Sequence, residues 1–231
     1  MVKLVELKKL PKESNRDYAL RVIKESIINL TLKPGTMISE QELATELKLS
    51  RTPVHEAMQE LSTTKIIQVL PQKGNIVSLI DMNLVDEAIF MRLTIESALT
   101  EIACLQATDK DIQELEEHVD LQEFYLSKNN IEKLMEHDNA FHKMMYKITN
   151  RMECYYLVKM MNIHLDRIRE LHLLTSDPTR VVEEHRNILD HFKKRNPEGL
   201  KELVASHLNK VYADEGKIRA RYPEYFVKNE K

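Results

Sequence analysis

Asp138, His142, His185 and His207 are polar side chains set where helical periodicity asks for apolar ones. Between Ile131 and Thr149 the apolar stripe runs Leu134, Phe141, Met145, Ile148, and Asp138 and His142 fall on it. Four residues apart, they stack on one helix face. His185 keeps company with Ile188, Leu189 and Phe192, and His207 with Leu200, Leu203 and Val204. Three helices thus each turn a carboxylate or imidazole toward a shared interior. Burying such groups without partners is costly, and a divalent cation satisfies several at once. A metal-free, hydrogen-bonded polar core satisfies them too. The four residues are more scattered than a compact motif such as HExxH, and spacing alone does not choose between the two.

The chain that must position them has 231 residues, enough for one large domain or two modest ones. Four glycines and no tryptophan, in a chain 42% hydrophobic and 31% charged, point to a mainly helical globular protein. Cys104 and Cys154 have neither metal nor redox spacing, fit small core positions and favour a reducing compartment. No apolar run approaches the roughly 20 residues of a membrane span. The N-terminal MVKLVELKKL is too short and too charged for a secretory signal, so the expected location is cytoplasmic, with no membrane partner. Charge is unevenly spread: residues 1–80 hold 12 Lys/Arg against 9 Asp/Glu, and the rest 22 against 28. A mildly basic N-terminal module on an acidic body suits one part that meets an anion and one that does not.

After a polar lead-in over 1–14, expected to be frayed, Ala19, Val22, Ile23, Ile27 and Leu30 mark a first helix that stops before Pro34-Gly35. Ser39 and Glu42 read as a capping box opening a short helix to about Leu47. Ser50 or Thr52 caps a third helix, with Pro53 in its first turn. Two short helices joined by a tight turn make a helix-turn-helix. Ile67–Leu70 and Asn75–Ser78 then flank Pro71-Gln72-Lys73-Gly74, which is hairpin chemistry. The parts are those of a winged helix, whose second paired helix enters the DNA major groove. Ser50, Arg51 and Thr52 sit at its start, where hydroxyls, a guanidinium and free N–H groups suit phosphate and guanine acceptors. Gln41, His55 and, at the wing tip, Lys73 and Gly74 complete the candidate DNA-contacting set. The plainer reading is a surface helix with an incidental arginine, and winged helices also serve as protein-contact modules.

From Leu32-Lys33-Pro34-Gly35 through SEQELATELKLSRTPVHEAMQEL to PQKGNIV, the sequence resembles the GntR-type bacterial transcription regulators. In that family Ser-Arg-Thr-Pro-Val begins the recognition helix, and those residues stand here at 50–54. Where the family commonly has a second arginine this chain has His55, which is shorter and less charged, so a weaker phosphate contact or a different base preference is expected. A glycine common near Lys65-Ile66 is also missing.

From Met82 to about Tyr222 the chain reads as consecutive helices: roughly 82–106, 108–127, 130–149, 152–174, one carrying His185, and a last one carrying His207. The elements Asp138-Asn139-Ala140-Phe141-His142 with Asn150 following, Glu184-His185-Arg186-Asn187-Ile188-Leu189, and His207-Leu208 resemble the FCD ligand-binding domain of the FadR branch of that family. The resemblance covers nearly the whole chain. It implies a winged helix-turn-helix over 10–79 followed by an all-α helical domain over 80–225. It further implies that Asp138, His142, His185 and His207 hold a divalent metal, with zinc first and nickel or manganese as alternatives. Open positions on that metal would take a small carboxylate effector. Arg92, four residues before Glu96, matches the family's R-x-x-x-E pattern and is placed to grip the carboxylate; a simple i,i+4 ion pair explains the same spacing. Asn150 either caps its helix or lines the cavity. His164 follows Leu157, Met160 and Met161 inward and is expected to face the cavity, whereas His137 and His191 are expected in solvent.

The reading is a homodimeric transcription regulator, a repressor by default, that binds a palindromic double-stranded operator and responds to a small carboxylate. The alternative from another class is a metal-dependent hydrolase or lyase. Against it, no inward acid or base beyond the candidate ligands stands out.

Overall fold

The computed structural model describes residues 2–70, 74–175 and 178–228. Its contacts divide the chain into two compact units: residues 1–85 with 163–170 and 219–231, and residues 86–162 with 171–218.

In the first unit Ser14 opens α1 (Asn15–Ile28), its hydroxyl accepting from the Asp17 N–H. A two-residue strand, β1 (Met37–Ile38), leads into α2 (Glu40–Leu47). Lys48, in the left-handed region at φ 55°, makes the tight turn into α3 (Arg51–Thr63). β2 (Ile67–Leu70) and β3 (Gly74–Val77) pair antiparallel in register Leu70 opposite Gly74, and β1 adds to the other edge of β3. Three helices and this small sheet are a winged helix-turn-helix. Ala19, Val22, Ile23 and Ile27 of α1 close on Leu43, Val54, Ala57 and Leu61. The lead-in is not frayed: Leu4 is buried in that core, the Val5 N–H donates to Ser26 Oγ, and the Tyr18 hydroxyl donates to the Leu7 carbonyl. Apolar residues at 2, 4, 5 and 7 had a surface to cover.

Residues 163–170 join the same unit. Ile163 enters its core, His164 Nε2–H donates to the Thr64 carbonyl at 2.7 Å, and the fully buried Arg167 donates to the Ser78 carbonyl at 2.7 Å.

The second unit is all helical. It is built on α4 (Met82–Gln106), α5 (Asp109–Ser127), α6 (Ile131–Ile148), α7 (Met152–Thr175), α8 (Thr179–Lys193), α9 (Leu200–Leu208), α10 (Lys210–Ala213) and α11 (Glu215–Arg221), with the start of α4, the middle of α7 and the end of α11 belonging to the first unit as above. Thr108 and Asp111 close a reciprocal capping box on α5, which packs on α6 and α8. Leu115, Val119, Leu134, Phe141, Met145, Ile188 and Phe192 form the core between them. The single last helix expected from periodicity is three pieces, broken at Asn209 and Asp214. Both side chains compete with the backbone for its hydrogen bonds, which favours helix ends over interiors. Cys104 is buried, Cys154 half-buried, and both are free thiols.

Candidate metal centre and nucleic-acid interface

The inward stripe of α6 carries Asp138 and His142 into the core of the second unit, α8 brings His185 and α9 brings His207. The three Nε2 atoms form a near-equilateral triangle: 3.3 Å between His142 and His185, 3.1 Å between His185 and His207, 3.2 Å between His142 and His207. A tetrahedral ion about 2.0–2.1 Å from each nitrogen sets them about 3.3–3.4 Å apart, and octahedral coordination sets them at about 3.0 Å. The three imidazoles are the set that could hold an ion, and Asp138 is buried beside it, its Oδ1 3.8 Å from His185 Nε2.

What makes this more than a cluster is the other side of each ring. His142 Nδ1 lies 2.8 Å from Glu96 Oε2, His207 Nδ1 2.9 Å from Glu184 Oε2, and His185 Nδ1 2.6 Å from Gln122 Oε1. Gln122 is oriented by donating its own amide to the His137 carbonyl. The oxygens behind the rings, carboxylates at Glu96 and Glu184 and an amide at Gln122, can only accept, so they favour the proton on Nδ1 and turn Nε2 toward the other two rings. With all three rings neutral in that tautomer, the Nε2 lone pairs meeting at 3.1–3.3 Å would repel one another. A metal-free hydrogen-bonded core would need at least one imidazolium to bridge them. A divalent cation removes the conflict without added protons, so the buried triad fits a metal. Phe141 stacks on His185 with ring centroids 4.5 Å apart, fixing that plane.

Glu96 is the hub behind His142. Its Oε1 accepts from Arg92 Nε at 2.9 Å and from the Tyr146 hydroxyl at 3.3 Å. Burial, followed by the charge of Glu96, pushes the Tyr146 pKa up, so the phenol stays a donor. Arg92 is led inside as its stripe implies, where it both pairs with Glu96 and lines a cleft beside His142. Asn139, Tyr155, Lys159 and Asn162 complete most of that cleft, which is about 270 Å³ including its open mouth and has room for about one water.

Four of the expected positions are decided or changed. Asn150 is exposed, in the left-handed region at φ 55°, and ends α6 by donating its N–H to the Lys147 carbonyl, so it is a cap and does not line the cleft. Asparagine tolerates that conformation better than most residues. His164, expected at the cavity of the helical unit, belongs to the first unit, where it is held by the Thr64 carbonyl. His137 and His191 are half-buried: His137 stacks on Tyr125, and His191 Nδ1–H donates to the Asn196 carbonyl. Gln122 and Glu184 were missed as ring-orienting residues. Gln122 did give a signal, being polar on the α5 stripe of Leu115 and Val119.

In the first unit, Ser50, Arg51, Thr52 and His55 are all exposed along the start of α3, and Gln41 is exposed at the start of α2. Ser50 occupies the N-cap position without a side-chain cap bond, which leaves its hydroxyl for other partners. Glu40 stands between two of these candidates, 2.8 Å from His55 Nδ1 and 3.8 Å from Arg51. It aligns them along one edge. Gly74 is exposed at φ 101°, a conformation that a side chain would strain, at the start of β3. Lys73 lies outside the described residues.

Comparison with known proteins fits both units. A model of the bacterial regulatory proteins of the gntR family matches residues 18–77, and an FCD domain model matches residues 87–210. The HTH-type transcriptional repressor RspR of Escherichia coli K12 is 25% identical over 223 residues, 96% of this chain and 98% of that protein. An HTH-type transcriptional regulator from an unstable DNA locus of Streptomyces ambofaciens is 29% identical, over 93% of this chain and 90% of that protein. Among solved structures, E. coli McbR/YncC superposes with a TM-score of 0.77 at 21% identity, covering 91% of this chain and 99% of the other. These relatives are regulators, which closes the hydrolase or lyase alternative: the chain is not an enzyme. No helix among the described residues is long and apolar enough to cross a membrane.

Proposed function

The chain belongs to the GntR family of DNA-binding transcriptional regulators with an FCD domain, and from that premise we propose that its operator affinity is set by a small carboxylate bound at a metal centre in the helical unit. Residues 10–79 read DNA and residues 80–225 hold metal and effector. The observation that carries the reading is the convergence of three Nε2 atoms at 3.1–3.3 Å while every Nδ1 is engaged by a side chain behind it. His142, His185 and His207, with Asp138 closing in, would hold a divalent ion, zinc first and nickel or manganese next. The ion supplies a fixed positive charge with open positions for a carboxylate oxygen. Arg92, already on the wall of the adjoining cleft, turns its guanidinium to the second oxygen. Glu96 holds Arg92 and His142 together, so an anion entering there acts on both at once.

In the DNA-reading unit, Arg51 takes base-edge or phosphate acceptors, Ser50 and Thr52 donate to phosphate, and Gln41 and His55 flank them. Lys73 and Gly74 at the wing reach the adjacent backbone. A homodimer would place two such heads on a palindromic operator of the cytoplasmic chromosome. The effector changes operator affinity only as far as it binds the DNA-competent and incompetent states differently. Repression relieved by effector is the assigned direction, in line with the name repressor carried by the E. coli K12 relative.

The test is a footprint on the DNA upstream of the protein's own gene at one fixed salt concentration, followed by carboxylate addition to metal-loaded protein. A symmetric protected patch that carboxylate releases supports the reading. Protection indifferent to metal and to every carboxylate removes the effector half of it.

A further inference from the structure

At the start of α3, one exposed side chain has its hydrogen-bonding sense set by a neighbour. His55 stands four residues after Arg51, so the two share a helix face. Its Nδ1 lies 2.8 Å from Glu40 Oε1, and the other oxygen of the same carboxylate lies 3.8 Å from the Arg51 guanidinium. Glu40 is the first residue of α2, where free N–H groups suit an acidic side chain. A neutral imidazole has one N–H, and an ionised carboxylate can only accept. The proton of the His55 ring therefore sits on Nδ1, donated to Glu40. Nε2, on the far side of a half-exposed ring, is left as a bare acceptor.

Base edges in the major groove divide by their exocyclic group. Guanine O6 and thymine O4 are keto oxygens that accept, whereas adenine N6 and cytosine N4 are amino groups that donate. Arg51 can only donate, which suits a keto base or a phosphate. A bare Nε2 can only accept, which suits an amino base. We infer that His55 is a specificity-determining residue that reads an amino base, adenine or cytosine, and that Glu40 is the positioning residue that fixes this sense by holding the ring proton on Nδ1. The inference rests on the reading of α3 as the helix that enters the major groove, and it names the class of base that one position takes. Discrimination comes from the pair, not from histidine by itself. A ring free to move its proton would donate from Nε2 to a keto oxygen as readily as it accepts from an amino group. With the proton held by Glu40, a keto base sets two acceptors against each other.

The experiment selects sequences from random double-stranded DNA with the full chain, at one salt concentration and at pH 8, where an exposed histidine is neutral. Wild type is compared with His55→Ala, His55→Arg, Glu40→Ala and Arg51→Ala. The position read by His55 is the one whose base preference is lost in His55→Ala. There the wild type is expected to favour amino over keto bases by about 3- to 10-fold. His55→Arg should turn that position to guanine, whose O6 and N7 fit forked donors. Glu40→Ala should bring the amino-to-keto ratio to within about twofold of unity, with the other positions unchanged. Should Glu40→Ala melt early, Glu40→Gln takes its place, because its amide both donates and accepts. A keto preference at that position in the wild type, or no position lost in His55→Ala, overturns the inference; a position lost in Arg51→Ala then leaves the reading of α3 standing. An amino preference that survives the loss of Glu40 overturns its positioning role. Selection unmoved by Arg51→Ala and His55→Ala alike overturns this inference and the reading of α3 together.

Discussion

Gln122→Met probes the metal centre from behind, without touching a ligand. The glutamine is fully buried, accepts from His185 Nδ1 at 2.6 Å and donates to the His137 carbonyl at 3.3 Å. Methionine has nearly the same length and volume, so the cavity term is small. What is lost is an acceptor, leaving a buried N–H unpaired at about 1–3 kcal/mol in the metal-free protein. Losing the outer partner of a ligating histidine costs a further 10- to 100-fold in metal affinity, about 1.4–2.7 kcal/mol. At roughly 2–4 °C per kcal/mol for a chain of this size, the metal-free melt drops by about 2–12 °C. The zinc-saturated melt drops further by a comparable amount at fixed free zinc. The assay is a zinc competition against a chromophoric chelator, with melts run in zinc and in EDTA. If Gln122→Met lowers the EDTA melt yet holds zinc within about twofold of wild type, Gln122 is only a packing residue. The argument that the Nδ1 partners prepare the site then fails.

Three further outcomes follow from the same geometry. Arg51→Ala removes an exposed guanidinium 3.8 Å from Glu40; specific operator binding should fall by about 1–3 kcal/mol in an anisotropy titration, with zinc content and melting unchanged. Arg92→Ala breaks a buried pair with Glu96; stability should fall by about 3 kcal/mol while zinc is retained and the carboxylate response is lost, and a full response in that variant would remove Arg92 from the site. The third outcome concerns pH. Burial first, then the neighbouring Arg167, hold the His164 pKa below its usual 6.5, with Asp81 pulling the other way and Lys65 adding to the depression. The unfolded chain therefore takes up a proton near pH 6.5 that the folded chain refuses, so stability declines as pH falls from there toward the depressed folded value. His164→Gln should flatten the fall in melting temperature between about pH 7 and 5.5, but only in part, because burial also depresses His118.

Most of the helices were legible because 3.6-residue periodicity is written into each of them. The limits of α4 to α7 follow from that stripe and from Thr108 and Asn130, whose side chains cap backbone N–H groups. The break of the last helix was not legible, since Asn209 and Asp214 sit within an otherwise unbroken pattern. Nor was β1, whose two residues have no periodicity to show. The place of 163–170 in the first unit depends on bonds to Thr64 and Ser78, partners about 90 to 100 residues away with no local signature. In the candidate metal centre, polar residues on apolar stripes pointed to the rings. The role of their outer acceptors was not legible, although Gln122 stood out as polar on an apolar stripe and Glu96 as a partner for Arg92, because Glu96, Gln122 and Glu184 act on histidines carried by other helices. Asn150 stayed open between two roles for a local reason: it satisfies the backbone of its own helix end, and a cap and a cavity residue look alike in one dimension.

The measurement that bears most directly on the account is a titration of labelled operator at one salt concentration, run with zinc-loaded and with chelator-stripped protein, each with and without a saturating small carboxylate. The account predicts an affinity change of roughly 5- to 150-fold on adding the carboxylate to the zinc-loaded chain, and none in the stripped chain. A carboxylate response of equal size without metal, or no response with it, contradicts the account.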